Sequence, residues 1–108
     1  MTIAIPLFGE RVSPHFSTAP ELLVVLTREQ TICSTMRFHF ATASLAEKKK
    51  RLLSLGVETL ICGGIDRGTQ GWLQKRGIHV IANVLGEAED ALTKCMSIKI
   101  KRSLLPTD

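Results

Sequence analysis

Two short stretches of the sequence hold residues whose chemistry suits a bound ligand. The first, RVSPHF, covers residues 11–16, and the second, CGGIDRG, covers residues 62–68. The candidate ligand-binding residues in these stretches are Arg11, His15, Cys62, Gly63, Gly64 and Arg67. An imidazole can give one ring nitrogen to a metal, and a thiolate is a soft ligand suited to iron–sulfur or copper chemistry. His15 and Cys62 are therefore the candidate metal ligands.

The other four candidates suit a ligand that carries negative charge. Gly63-Gly64 has no side chains, so backbone N–H groups can approach a bulky ligand, and the N-terminus of a following helix adds partial positive charge. Arg11 and Arg67 would balance an anion. Because a proline disfavours the helical region for the residue before it, Ser13-Pro14 predicts a shaped, extended loop that presents the histidine.

Each candidate also has a purely structural interpretation. His15 can be a turn residue, and Gly63-Gly64 can simply make a tight turn between a strand and a helix. Cys62, at the end of an apolar run, can be a core residue, as can Cys33 and Cys95. The three cysteines are odd in number and widely spaced, with no CxxC pair and no zinc-binding pattern.

The elements that position these residues follow the order β-β-β-α-β-α-β-α. Apolar and alternating runs predict strands at residues 2–8, 21–27, 31–40, 57–63 and 78–84. Ser44 with Glu47 matches a capping box and opens the first helix, and Asp66 can cap the second. Acidic residues open a third helix that runs to about Met96. The basic tail, at about residues 97–108, fits either a fraying helix or an edge strand.

This order predicts one α/β sheet of mixed direction. The first three strands form an antiparallel meander, and the fourth and fifth follow helices, so they run parallel through right-handed crossovers. The simplest strand order is 3-2-1-4-5, with three helices covering the sheet, which resembles a ribonuclease H-like fold. Ligands tend to bind where connections leave the carboxyl ends of neighbouring strands in opposite directions. Both candidate stretches lie at that crevice, so His15 is predicted to lie beside Cys62 and the glycine pair.

Composition and charge limit the classes of protein to consider. The chain has 108 residues, 44% hydrophobic and 22% charged, which fits one domain over residues 1–108. Neither a signal-peptide pattern nor a membrane-spanning apolar run is present, so we expect a cytoplasmic protein without membrane contact. The net charge is +4, and the bases cluster in EKKKR (47–51) and KCMSIKIKR (94–102). Such clusters are usually solvated, but they can attract nucleic acid, phosphate or an anionic metal cluster.

The motifs and their order resemble the nitrogenase iron–molybdenum cofactor binding family. The matching stretches are residues 3–25, 56–81 and 86–94, and VSPHF followed by ICGGI is the most specific combination. The resemblance implies a small cytoplasmic accessory protein with a ribonuclease H-like fold. It would carry an anionic metal–sulfur cluster, of the iron–molybdenum or iron–sulfur type, between donor and acceptor proteins.

The family pattern also implies roles for particular residues. His15 is the candidate cluster ligand, and the Cys62-Gly63-Gly64 loop forms the second wall of the site. One histidine and one cysteine make an incomplete coordination shell, so we expect a monomer or a weak homodimer bridged by the cluster. Ser17 and Asp66 stand where family members commonly have glycine. A carboxylate at position 66 could repel an anionic cluster unless it points inward to cap the helix.

The alternatives to a cluster carrier are two kinds of enzyme and one kind of binding module. A nuclease needs several carboxylates around two metal ions, and the predicted strands do not place them at the crevice. A hydrolase that pairs His15 with Cys62 lacks an evident third residue to orient the histidine, so no enzymatic activity is predicted. The alternative function is a basic macromolecule-binding module without a metal. One tryptophan, four phenylalanines and no tyrosine do not favour specific nucleic-acid binding.

Overall fold

An uninterrupted apolar run builds the central strand of the sheet. In a computed structural model of the protein, β1 (Thr2–Phe8) is buried from Ile3 to Leu7, because helices cover both faces of the sheet. The structure describes the backbone of residues 1–104 and the side chains of residues 1–96. The predicted basic tail therefore lies outside the described side chains, and its backbone is described only as far as residue 104.

Within residues 1–104, six strands form one mixed sheet. After β1 they are β2 (Arg11–Val12), β3 (Glu21–Arg28), β4 (Thr31–His39), β5 (Thr59–Ile61) and β6 (His79–Ile81). Five of them lie in the order β4-β3-β1-β5-β6, and β2 pairs with β1 outside this row. The pairs among β1, β3 and β4 are antiparallel, whereas β5 runs parallel to β1 and β6 runs parallel to β5.

The strands differ from the sequence prediction where the chain turns toward the candidate site. The sequence did not predict β2, since two residues are too few to leave a hydrophobic pattern. The predicted strands 57–63 and 78–84 each shrink to three residues, in β5 and β6. Beyond Ile61 the Cys62 N–H still donates to the Ile81 carbonyl of β6, but the glycines that follow bond to loops. One such hydrogen bond is donated by the Asn83 N–H to the Gly63 carbonyl at 2.9 Å.

In the part of the chain that the structure describes, three α-helices pack on the sheet. They are α1 (Leu45–Ser54), α2 (Arg67–Lys75) and α3 (Ala88–Leu104). The predicted capping box is present at α1: Ser44 Oγ accepts from the Glu47 N–H, and Glu47 Oε1 accepts from the Ser44 N–H. The third helix continues beyond the predicted end at Met96. Within the described residues no helix has both the length and the apolar composition needed to cross a membrane.

The two faces of the sheet carry separate hydrophobic clusters. Leu52 of α1 and Leu73 of α2 pack with Ala4 on one face, whereas Leu92 of α3 packs with Ile3 on the other. Side chains alternate along β1, so neighbouring residues of this strand pack into the clusters on opposite faces of the sheet. The α1 and α2 layer therefore lies on the opposite side of the sheet from α3, and the loops at the carboxyl end of β5 lie beside α2.

Candidate functional site

The two sequence stretches that could bind a ligand meet at the end of β5. The Gly64 N–H donates to the Pro14 carbonyl at 2.7 Å, and the Phe16 N–H donates to the Gly64 carbonyl at 2.8 Å. These two bonds make a parallel bridge between His15 and Gly64. The backbone of His15 is extended, with φ −137° and ψ 133°. The structure thus places His15 beside the glycine pair.

The glycine pair is required by the closeness of this contact. A Cβ atom on Gly63 would meet the backbone carbonyl oxygens of Ser13 and Pro14, the latter at 2.7 Å. A Cβ atom on Gly64 would meet His15 Nδ1 at 2.8 Å. Both glycines therefore let the histidine loop approach the end of the strand, which is a structural role beside the ligand-binding role that the sequence suggested.

Buried groups hold the loop on both sides of the histidine. Ser13 is 2% exposed, its N–H donates to the Pro6 carbonyl at 2.8 Å, and its hydroxyl donates to the His15 carbonyl at 3.1 Å. Phe16 is buried in the core cluster beneath α1 and α2. The loop is thus tied to the core immediately before and after His15, while the imidazole itself stays exposed.

Lys48 is a second anchor that sequence reasoning missed. Its ammonium donates to the Ser17 carbonyl at 2.7 Å and to the Ala19 carbonyl at 3.1 Å, and the residue is only 2% exposed. Burial lowers the pKa of Lys48. The sequence placed this lysine in a solvated basic cluster, but it lies on the stripe of α1 that also carries Leu45 and Leu52. Lys48 follows Leu45 by three residues and precedes Leu52 by four, and this helical spacing is the sequence signal that could have predicted its burial.

An open cleft surrounds the histidine. Its volume is about 370 Å³, and it is lined by His15, Ser17, Gly64, Ile65 and Asp66. Asp66 caps α2 as predicted: the Thr69 hydroxyl donates to Oδ1 at 2.6 Å, and the Thr69 N–H donates to Oδ2 at 2.8 Å. These two bonds hold the pKa of the Asp66 carboxyl below its usual range. Each carboxylate oxygen therefore accepts one hydrogen bond of the helix cap, while the residue remains exposed in the cleft.

The thiol of Cys62 lies in the protein core. The residue is 0% exposed and belongs to the cluster beneath α1 and α2. Burial raises the pKa of the thiol to about 11, so the protonated form dominates at neutral pH. A metal-ligating Cys62 would require the end of β5 to open and the thiol to lose its proton. As folded here, Cys62 contributes packing, and its backbone continues into the glycine pair.

The two candidate arginines lie apart from the described lining of the cleft. Arg11 is in β2, where it is exposed, and its backbone forms an isolated antiparallel β-bridge with that of Glu87. Arg67 is the first residue of α2 and lines a neighbouring depression. Among the side chains that the structure describes, no three from His, Cys, Asp and Glu converge to hold a metal ion. The cleft therefore offers one imidazole, the side chains of Ser17 and Asp66, and backbone groups, which could hold a ligand that brings its own coordination shell.

Comparison with known proteins places the chain in a family. The sequence model described as dinitrogenase iron–molybdenum cofactor matches residues 1–97. The chain belongs to the dinitrogenase iron–molybdenum cofactor family. The match includes both the loop of His15 and the strand end at Gly64, as well as all six strands. Among curated proteins, none matches the chain.

Solved structures show the same fold at low sequence identity. The crystal structure of PH0822 has a TM-score of 0.84 at 19% identity and covers 90% of this chain and 89% of its own. A crystal structure of mj0327 from Methanocaldococcus jannaschii, which carries a provisional dinitrogenase name, has a TM-score of 0.72 at 22% identity. That alignment covers 94% of this chain and 88% of mj0327. At these identities the likeness concerns the fold alone.

Proposed function

We propose that this member of the family is a carrier of an anionic metal–sulfur cluster, of the iron–molybdenum or iron–sulfur type. The observation that carries the proposal is the exposed His15 imidazole at the edge of an open cleft, on a backbone that the bridge to Gly64 holds in place. Family membership supports the kind of cargo. In this proposal the imidazole gives one ring nitrogen to a metal atom of the cluster.

The donor set suits a preassembled cluster better than a single metal ion. A bare zinc ion takes about four protein ligands, whereas a metal–sulfur cluster already holds its metals through bridging sulfur. Attachment through a single imidazole leaves most of the cluster accessible, which favours release to another protein. The Asp66 carboxylate lines the cleft in its ionised form, and its hydrogen bonds to Thr69 at the positive end of α2 offset part of its repulsion of an anionic cargo.

Several further properties belong to the same proposal. The protein transfers its cargo without a chemical step, receiving the cluster from a donor protein and passing it to an acceptor. A single imidazole leaves room for a second protomer, so we propose a monomer that can form a weak homodimer on the cluster. The free, exposed Cys33 suits the reducing cytoplasm. We also propose that the fold belongs to the ribonuclease H-like class, which the strand order supports.

Cluster uptake by the purified protein tests the proposal. The protein without metal is mixed anaerobically with a synthetic thiolate-ligated iron–sulfur cluster or with tetrathiomolybdate and iron, and visible absorption is recorded after gel filtration. His15→Ala is expected to lose the retained absorption, and His79→Ala, which removes another exposed histidine, is expected to keep it. Equal retention by the two variants would remove His15 from the site.

A further inference from the structure

The outer surface of α1 and α2 carries several bases around the single tryptophan of the chain. We call it the Trp72 patch, and its residues are Lys49, Arg67, Trp72, Lys75 and Arg76. A shallow depression of about 450 Å³ lies within it, lined by Arg67, Gly68, Gly71, Trp72, Lys75 and Arg76. Because Gly68 and Gly71 have no side chains, the helix backbone is open beside the ring. The patch therefore combines positive charge with a concave surface.

The tryptophan holds one of these bases in a fixed orientation. The guanidinium carbon of Arg76 lies 3.7 Å from the centre of the Trp72 ring, and Arg76 Nη1 donates to the Trp72 carbonyl at 3.0 Å. Lys49 Nζ lies 4.8 Å from the same centre. The ring also packs against the core cluster, which limits its own motion. An arginine held in this way loses less conformational entropy when it binds a carboxylate.

No ion pair among the described side chains includes a base of the patch. The ion pairs in that part of the chain join Arg37 to Glu10 and Glu21. The two nearest acids along the helices are Glu47 and Asp66. Each accepts hydrogen bonds at a helix N-terminus that lower the pKa of its carboxyl, so both acids stay ionised, and Asp66 interacts electrostatically with Lys49. The four bases of the patch still outnumber these two acids. The acids that open α3 are on the opposite side of the sheet.

We propose that the Trp72 patch docks an acidic segment of the partner protein that delivers or receives the cluster. This inference rests on the proposed function, since it assigns a docking surface next to the His15 cleft. The two surfaces meet at consecutive residues, because Asp66 lines the cleft and Arg67 lines the depression. Glutamate or aspartate side chains of the partner would pair with Arg76 in a bidentate arrangement and with the flanking bases.

The same geometry favours protein carboxylates over nucleic acid. The helix α2 carries two of the four bases, and a third, Arg76, is its C-cap; the helix has nine residues, which is about 14 Å of length. Proteins that bind duplex DNA commonly make about 6–10 phosphate contacts, more than this surface provides. Single-stranded nucleic acid is bound by stacking bases on open aromatic faces, whereas Arg76 already covers a face of Trp72.

Peptide binding tests the docking surface. Fluorescently labelled hexaglutamate is titrated with the full-length protein at low salt and its anisotropy is followed, while quenching of Trp72, the single tryptophan, reports where unlabelled peptide binds. Arg76→Gln is expected to weaken binding about fivefold or more, because it removes a charged bidentate partner. Arg28→Gln, an exposed base on the hairpin that removes the same charge, is expected to bind like the wild type.

Three results would overturn the proposal. They are no binding of hexaglutamate at low salt, equal weakening by both substitutions, and tighter binding of a short oligothymidylate that Arg76→Gln abolishes. His15→Ala separates this inference from the proposed function, since it is expected to bind the peptide normally and to lose the cluster. Normal cluster uptake without peptide binding would refute the docking surface alone. Peptide binding without cluster uptake would refute the proposal that the protein carries a cluster.

Discussion

Gly63→Ala is expected to detach the histidine loop from the end of β5. The new Cβ would lie 2.7 Å from the Pro14 carbonyl oxygen and against that of Ser13, whereas ordinary contacts begin at 3.4 Å. Both neighbours are backbone atoms, which cannot rotate away like a flexible side chain. The loop must therefore shift as a whole, and the two hydrogen bonds of the His15–Gly64 bridge are then lost.

The structure sets the size of this effect. Each lost backbone hydrogen bond costs about 0.5–1.5 kcal/mol, and overpacking a filled site costs about 1–3 kcal/mol. The free energy of unfolding should thus fall by about 2–6 kcal/mol, out of about 5–15 kcal/mol for a domain. Urea unfolding followed by far-ultraviolet circular dichroism measures the loss, and cluster uptake should fall with it.

Gly71→Ala is the matched control for this measurement. Gly71 lies inside α2, and a Cβ atom there would meet nothing within 4 Å. Because alanine favours the helix, this variant should gain about 0.5–1 kcal/mol. A Gly63→Ala protein as stable as the wild type, to within about 0.5 kcal/mol, would refute the close contact between the loop and the strand end.

Three further predictions follow from buried and capping groups. Burial lowers the pKa of Lys48 in the folded protein below 10.5, so between the folded and the unfolded pKa the unfolded chain binds more protons. The free energy of unfolding of the wild type should therefore rise with pH between those two values, and Lys48→Met should remove this rise. Parallel pH profiles from urea unfolding of the two proteins would contradict this. Iodoacetamide at about pH 8 should modify exposed Cys33 in the native protein but Cys62 only after unfolding, as mass spectrometry of peptides would show. Ser44→Ala should lower the free energy of unfolding by about 1 kcal/mol because the capping box is lost, with exposed Thr42→Ala as the neutral control in thermal melts.

Local signals in the sequence predicted the parts of the fold that depend on neighbouring residues. The caps at Ser44 and Asp66 are set by hydrogen bonds that span three residues, so the sequence shows them directly. The first three long strands came within one residue of their predicted bounds for a similar reason, since hydrophobic pattern and turn residues lie together. The mixed α/β class followed from the alternation of strands and helices.

Tertiary contacts decided the features that the sequence left open. The approach of His15 to Gly64 was predicted from topology, but the steric need for both glycines appears only when the loop lies against them. Lys48 reads as a solvated base until the carbonyls of residues 17 and 19 are placed around it. The sequence allowed Cys62 to be either a metal ligand or a core residue. Its burial depends on how the helices pack on the sheet, which the local sequence does not show.

The most direct test of the account is the metal content of the protein isolated anaerobically from its native host. Wild type, His15→Ala and His39→Ala are purified side by side, and iron, molybdenum, copper and sulfide are measured per chain, together with the visible spectrum. The account predicts metal with sulfide in the wild type and in His39→Ala, and loss of both in His15→Ala. Equal metal and sulfide in all three proteins would contradict the claim that His15 holds the cluster.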